Sequence, residues 1–239
     1  MAEPRRRGDI ETRERLLWAA ERLFADRGFK DVTVRDICRA ARANVAAVNY
    51  HFGDKFGLYR DVLQSAIDRM RATNDAARQA GVGQTSEEQL RRYITIFLSR
   101  LLASGNDTVH RLVTRELNDP TPALDDLIEQ GIKPRIEYLS AVVADIMGCD
   151  PGDRRVLRSV ASIQTQSLAY VPNAIGERLW LTSKPTPAHV QEVARHIADF
   201  SIAGIRALAR SAEPRSDQRG RHPSAADSSA NNADALRGR

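Results

Sequence analysis

The segment TVRDICRAARANVAAVNYHFGDK, residues 33–55, constrains this chain more than any other. It holds two short helical patterns, each introduced by a capping residue, with only a tight turn between them. Thr33 precedes Val34, Ile37, Cys38 and Ala41, which recur at three- and four-residue spacing, and its hydroxyl can accept from the exposed amides of that first turn. Asn44 supplies a second cap. It opens a run in which Val45, Val48 and Phe52 share one face while Ala46, Ala47, Asn49 and Tyr50 point elsewhere. The free face is small near its start, where a helix must approach base edges closely, and carries hydrogen-bonding groups near its end, where it meets a sugar-phosphate backbone. A helix buried in a core needs neither property. The pattern therefore reads as a helix-turn-helix for double-stranded DNA.

The flanking residues fit a three-helix unit. Leu16, Leu17, Ala20, Leu23 and Phe24 lie at helical spacing on a helix that begins near Ile10 or Glu11 and stops at Gly28, a left-handed C-terminal position. After Phe52, Asp54 caps a further helix with Leu58, Tyr59, Val62 and Ala66 on its apolar stripe. Lys55 sits in that helix's first turn, where the macrodipole disfavours a cation, so a phosphate partner would relieve the conflict. Residues 1–9 form a flexible basic arm with Arg5, Arg6 and Arg7 in succession. Such an arm can enter a minor groove, although a short terminal run of charge is more often only solvated.

Charge follows the same division. The net charge is +5, and residues 1–60 carry 13 Lys and Arg against 9 Asp and Glu, whereas residues 61–212 carry 18 against 18. An excess beside a helix-turn-helix supplies sequence-independent DNA affinity through counterion release, and a neutral body argues against general polyanion binding. Helix formers dominate and no alternating Val, Ile or Thr run marks a sheet, so the fold class is all-α. Cys38 and Cys149 are isolated, which leaves a disulfide framework or a metal site without support. None of the five His residues falls in a zinc spacing, and no Ser lies in a nucleophile elbow. No phosphate loop is present either, so catalysis and a cofactor are not expected. No apolar run reaches membrane-spanning length, and MAEPRRRGDI lacks the apolar core of a secretory signal, so a cytoplasmic protein is expected.

Beyond residue 65 the chain reads as a larger helical domain, residues 66–212, followed by a polar tail, 213–239, expected to be disordered. QAGVGQTS marks a loop. A helix follows with Leu90, Tyr93, Ile94, Phe97, Leu98 and Leu101 on one face, then a shorter one from about Thr108 to Leu117. The next pattern, Leu124 to Ile146, is interrupted by Gly131 and Pro134, which predicts two segments or one bent helix and an irregularity able to shape a cavity. Two late helices, near 154–171 and 187–209, have broader apolar faces than one subunit's core requires, as a four-helix dimer interface would. PNAIGERLWLTSKPTP between them is a loop or short helix.

The residues NYHFGDKFGLYRDVL, preceded by TVRDICRAA and ERLLWAAERLFADRGFKDV, resemble the amino-terminal domain of TetR-family transcriptional regulators over residues 10–65. The segment VTRELNDPTPALDDLIEQGIKPRIEYLSAVVADIMG resembles the effector domain of the CecR type, and NVAAVNYHFGDK is similar to the reading helix of that group. The resemblance implies a homodimeric repressor that binds a palindromic operator and is released by a small-molecule effector. A nonspecific structural DNA-binding protein is the rival reading. Position by position, the resemblance makes Thr33, Tyr50, His51 and Lys55 backbone contacts, and Ala46, Ala47 and Asn49 the base-facing residues. Asn49 stands where the family often has Tyr, and His51 is alternatively a local helix cap. Asn44 joins the DNA-facing set. Arg42 occupies the turn position that usually carries Gly, so either the turn takes another geometry or left-handed strain of roughly a kcal/mol is tolerated. Its guanidinium either reaches a phosphate or base or is simply solvated.

For an effector pocket, the polar and aromatic groups on otherwise apolar helices are Phe97, Arg115, Glu116, Tyr138, Gln164 and Tyr170. The competing expectation is that the aromatics are core and that Arg115 and Glu116 are ordinary surface charges. On the DNA side, Asn49→Ala is expected to relax discrimination among operator variants, and Lys55→Ala to weaken all DNA similarly. Titrations against a panel of operator variants check this, and equal losses on every variant for both mutants would remove the distinction.

Overall fold

A computed structural model describes residues 3–103, 107–172, 178 and 186–211. The ordered elements among them are all helical. The amino-terminal unit consists of α1 (Glu3–Asp31), α2 (Val34–Ala41) and α3 (Val45–Phe52), followed by the long α4 (Lys55–Gly81). The body contains α5 (Ser86–Leu101), α6 (Asp107–Asn118) and α7 (Leu124–Asp126), the last running through a π-helical turn at Leu127–Ile132 into α8 (Lys133–Met147). It is completed by α9 (Arg154–Leu168) and α10 (Pro187–Arg210).

α1 starts earlier than its apolar spacing predicts. Residues 3–9 belong to the helix rather than to a separate arm. Pro4 lies in the opening turn, where its fixed φ suits a helix and its missing N–H leaves nothing unpaired. The side chains of Arg5, Arg6 and Arg7 lie outside the described residues, as do the tail from residue 212 and most of the segment between α9 and α10. At its other end α1 breaks at Gly28, with φ 84° and ψ 170°. That backbone is open to Gly alone and differs from the left-handed helical position expected there.

Two apolar cores share one rod. The first gathers Leu16, Ala20 and Phe24 of α1 with Ile37 and Val48, then Leu58, Tyr59 and Val62 of α4. The second collects Leu90, Ile94 and Leu98 of α5 with Leu139, Val143, Val160, Ile197 and Ile202, and takes Ala77 from the far end of α4. The domain boundary placed at residue 65 thus falls inside an unbroken helix. Leu112 of α6 and Ala123 also insert into the first core, so the amino-terminal unit is closed partly by residues of the body.

The interruption expected at Gly131 and Pro134 takes the form of a π-helical turn followed by Pro in the first turn of α8. Pro is tolerated there because the amides of a first turn have no intrahelical acceptor. Gly131 lets the turn approach α4: a Cβ added to it would lie 3.3 Å from the Met70 side chain.

Between α6 and the amino-terminal unit lies the most demanding polar group of the fold. The Glu116 side chain is wholly buried. It accepts from Tyr59 Oη at 2.5 Å, from the Thr121 amide at 2.8 Å and from Thr121 Oγ1 at 2.9 Å. A carboxylate is tolerated in an interior only when its lone pairs are filled in this way. Burial, and then the bond to Glu116, push the Tyr59 hydroxyl well above its usual pKa, so it remains a donor. Beside it, Arg115 Nε donates to the Ala25 carbonyl at 2.8 Å and its other nitrogen donates to that of Asp26. Ion pairs Arg111–Asp26 and Lys30–Asp119, each at 2.5 Å, flank the contact.

This arrangement corrects the expectation for Arg115 and Glu116. They are not part of the cavity between α4, α5 and α6 and are not loose surface charges, but fasten α6 onto α1 and α4, because adjacent helical positions point in different directions and reach different neighbours. Tyr59→Phe leaves a buried carboxylate short of one donor and is expected to destabilise the fold by about 1–3 kcal/mol. Lys30→Ala, at an exposed pair, should change stability by less than about 1 kcal/mol. Urea unfolding followed by circular dichroism measures both.

Candidate nucleic-acid interface and effector cavity

α2 begins in a reciprocal capping box. Thr33 Oγ1 accepts from the Asp36 amide at 3.2 Å, and the Thr33 amide donates to Asp36 Oδ2 at 3.1 Å. The hydroxyl hydrogen also goes to Asp36 Oδ2, at 2.6 Å. These bonds hold the Asp36 carboxyl below its usual pKa range, so the box persists well into acid. A phosphate only accepts hydrogen bonds, and the single hydroxyl hydrogen of Thr33 is already committed. In this geometry the Thr33 hydroxyl is engaged as the cap of α2.

The turn keeps the left-handed geometry despite lacking glycine. Arg42 has φ 51° and ψ 47°, the sole non-Gly residue with positive φ among the described residues. Its amide lies 3.4 Å from the Arg39 carbonyl, and the Ala43 amide donates to the Cys38 carbonyl at 3.0 Å. Those bonds satisfy the carbonyls at the end of α2 and hold the strain in place. Arg15 Nε of α1 donates to the Ala41 carbonyl at 3.2 Å, bracing the same end. The Arg42 side chain is exposed.

Asn44 then caps α3, its Oδ1 accepting from the Ala47 amide at 2.8 Å. Val48 is wholly buried, while Val45, Ala46, Asn49 and Tyr50 form an exposed stripe opposite it, Tyr50 at 76%. Two expectations change here. Val45 belongs to the free face and not to the packing face, and Ala47 is half-buried against the first core instead of facing bases. The cause is the width of the contact: only Val48 points squarely into the core, and its neighbours divide on either side at 100° per residue. His51 is half-buried with its ring 4.9 Å from that of Tyr50 in an edge-on arrangement.

Lys55 is placed differently from its expected phosphate role. Its Nζ donates to the carbonyls of Phe29 at 2.8 Å and Val32 at 2.9 Å, and lies 4.3 Å from the centre of the Phe29 ring. The conflict between a cation and the start of α4 is thus relieved internally, by carbonyls at the end of α1. Lys55 is a positioning residue that ties the α1–α2 junction to α4. Arg35 and Arg39, both exposed on α2, were missed by sequence reasoning. Their signal was a position opposite Ile37, Cys38 and Ala41 on an amphipathic helix.

In the body, a cavity of ≈ 170 Å³ opens between α4, α5, α6 and the start of α8. Of the six residues expected at an effector pocket, Phe97 lines it. Gln164 is instead buried, donating to Tyr93 Oη at 3.2 Å. Tyr138 and Tyr170 pack against the second core. The cavity wall includes Arg69, Asn74, His110 and Arg135, none of which stood out in the sequence. Burial lowers the His110 pKa, so the imidazole is neutral at neutral pH.

Comparison with known proteins follows this division of the chain. Residues 16–62 match the family described as bacterial regulatory proteins, tetR family, and residues 86–205 match the C-terminal domain of the HTH-type transcriptional dual regulator CecR. The CecR regulator of Shigella flexneri is 28% identical over 169 residues, covering 67% of this chain and 75% of that protein. The HTH-type transcriptional repressor BepR of Brucella suis is 41% identical over 61 residues, covering 26% of this chain and 27% of its own. The solved structure of the fatty acid degradation regulator FadR from Bacillus halodurans shares the fold, with a TM-score of 0.58 at 15% identity over 82% of this chain and 96% of that one.

The left-handed turn generates a test. Arg42→Gly removes the Cβ strain and is expected to raise stability by about 1 kcal/mol, read as a higher urea midpoint. Weaker operator binding by the same variant would mark the guanidinium as a DNA contact, whereas unchanged binding would mark it as a solvated turn residue.

Proposed function

Since the chain belongs to the TetR family of DNA-binding transcriptional regulators and carries a CecR-type C-terminal domain, we propose that it is a ligand-responsive repressor that binds a palindromic operator as a homodimer. The observation that carries this reading is the mechanical continuity between α3 and the cavity. α3 is packed on α4, α4 lines the cavity through Arg69 and Asn74, and α6 lines it while bonded to α1. A ligand that favours one arrangement of α4 and α6 also favours one position of α3, which is what linkage between two sites requires.

The DNA-facing set is Arg42, Asn44, Ala46, Asn49, Tyr50 and His51. Asn49 supplies a bidentate partner for adenine, and Tyr50 and Arg42 supply backbone contacts. Arg35 and Arg39 add phosphate-neutralising charge. Dimerisation is supported by Leu157 of α9 with Phe200 and Leu208 of α10, exposed by 46%, 64% and 41%. Large apolar side chains at this density on two late helices are what a two-fold helical interface buries. A dimer presents two copies of α3 to successive major grooves, hence a palindrome. The Brucella relative is named a repressor and the Shigella relative a dual regulator, and repression is common to both. No helix among the described residues is long and apolar enough to cross a membrane.

The deciding experiment is a footprint of the purified protein on DNA flanking its own gene, at fixed salt with scrambled competitor. A protected palindrome is expected. Uniform weak protection would overturn the reading in favour of a nonspecific structural DNA-binding protein.

A further inference from the structure

Among the described residues, the cavity wall carries arginines and no acidic residue. Arg69, Arg100 and Arg135 line it alongside Met70, Phe97, Val113 and Ile132. Arginine stays charged in any protein environment, so interior guanidinium is stable only with an acceptor. Arg100 is exposed at the rim. Arg135 lies deeper: its Nε is buried with no hydrogen-bond acceptor among the described residues, and its guanidinium carbon sits 5.4 Å from the centre of the Phe97 ring. The π-helical turn delivers this residue, since Ile132 ends the turn and Arg135 follows one helical turn on. Such turns are frequent where a helix must aim a side chain at a ligand. Arg69 has a partner outside the wall, pairing at 2.7 Å with Glu21 of α1.

We propose that this cavity is an organic-anion site, taking a carboxylate with a small apolar body, and that Arg69 reports its occupancy to the DNA-binding unit. The inference rests on the effector-responsive reading above and names the chemical class of the effector. Arg135 receives the carboxylate, the apolar wall takes the body, and a cation is repelled. The size follows from the volume: an apolar cavity of about 150 Å³ holds benzene, so ≈ 170 Å³ admits one ring or a short acyl chain. With Arg69 on the same wall, the bound carboxylate competes with Glu21 for that guanidinium. The Arg69–Glu21 pair joins α4 to α1, so its exchange for a ligand contact loosens the packing of the reading unit on α4.

The test uses the full-length protein and two charge series of nearly equal shape: phenylacetate, phenylacetamide and 2-phenylethylamine, then hexanoate, hexanamide and hexylamine. Calorimetry and thermal melting are expected to show the carboxylates binding about tenfold or more tightly than either counterpart, the difference a charge-assisted hydrogen bond makes. Arg135→Met should lose that preference. Arg100→Met, with circular dichroism as the check on folding, serves as the second variant and should weaken it. Glu21→Gln should strengthen carboxylate binding severalfold, which loss of packing alone would not do. Amides or amines binding as well as the acids would leave an effector site but overturn its anionic character. Carboxylate binding untouched by both arginine variants would place the ligand elsewhere and overturn the assignment, as would no binding by either series. The footprint of the ligand-free protein tests the regulator reading separately, so a protected palindrome with no carboxylate binding would overturn the anion site alone.

Discussion

Glu116 is a carboxylate placed where no water reaches it, and its three acceptor contacts come from two different parts of the chain: Tyr59 on α4, and Thr121 in the loop that leaves α6. Each partner exists only if the others are in register. If α6 rotated or slid, the charge would lose donors whose replacement by water requires opening the first core. The amino-terminal unit and the body are therefore not two beads on a string. Leu112 and Ala123 complete the apolar side of the same junction, and Arg115 closes the carbonyl-rich end of α1. A polar network of this kind specifies one arrangement more sharply than apolar packing does, because an alternative leaves unpaired groups and not merely a changed contact.

The same economy governs the DNA-facing elements. α2 and α3 are eight residues each, shorter than a helix that would persist alone in water. Their stability comes from ends and from one side: Thr33 with Asp36, Asn44, the left-handed Arg42, and the burial of Ile37 and Val48. Lys55 and Arg15 then spend their charge on backbone carbonyls of neighbouring elements. The exposed stripe of α3 and the arginines of α2 are left free for DNA by this arrangement.

How much of this was legible in the residues depends on the range of the interaction. The caps at Thr33, Asn44 and Asp54, the helix spacing of Leu16 to Phe24 and the interruption at Gly131 and Pro134 are local, and they appear where the pattern predicts them. The difficulty at Arg42 was also visible, as a residue in a position that favours glycine. The roles of Lys55, Arg115 and Glu116 were not, since each depends on at least one partner 23 to 90 residues away. In sequence, a cation at a helix start and an Arg–Glu pair on a helix look the same whether they meet solvent, phosphate or another helix. The faces of α3 were misjudged at Val45 and Ala47 for a related reason: periodicity divides a helix into sides, but the width of the buried side is set by the neighbour.

By itself, the sequence determined an all-helical chain with a capped helix-turn-helix near its start, an excess of basic charge beside it and a larger helical body. These are consequences of turn chemistry and of periods of three to four residues, which no partner has to be present to impose. Only the tertiary structure decided which charges face outward and which are consumed within, that α6 and α4 carry the body into the first core, and that Arg69, Arg100 and Arg135 converge on one cavity. Convergence is a property of three-dimensional distance, and residues from α4, α5 and α8 share no local signal because nothing in the chain between them needs to record that they meet.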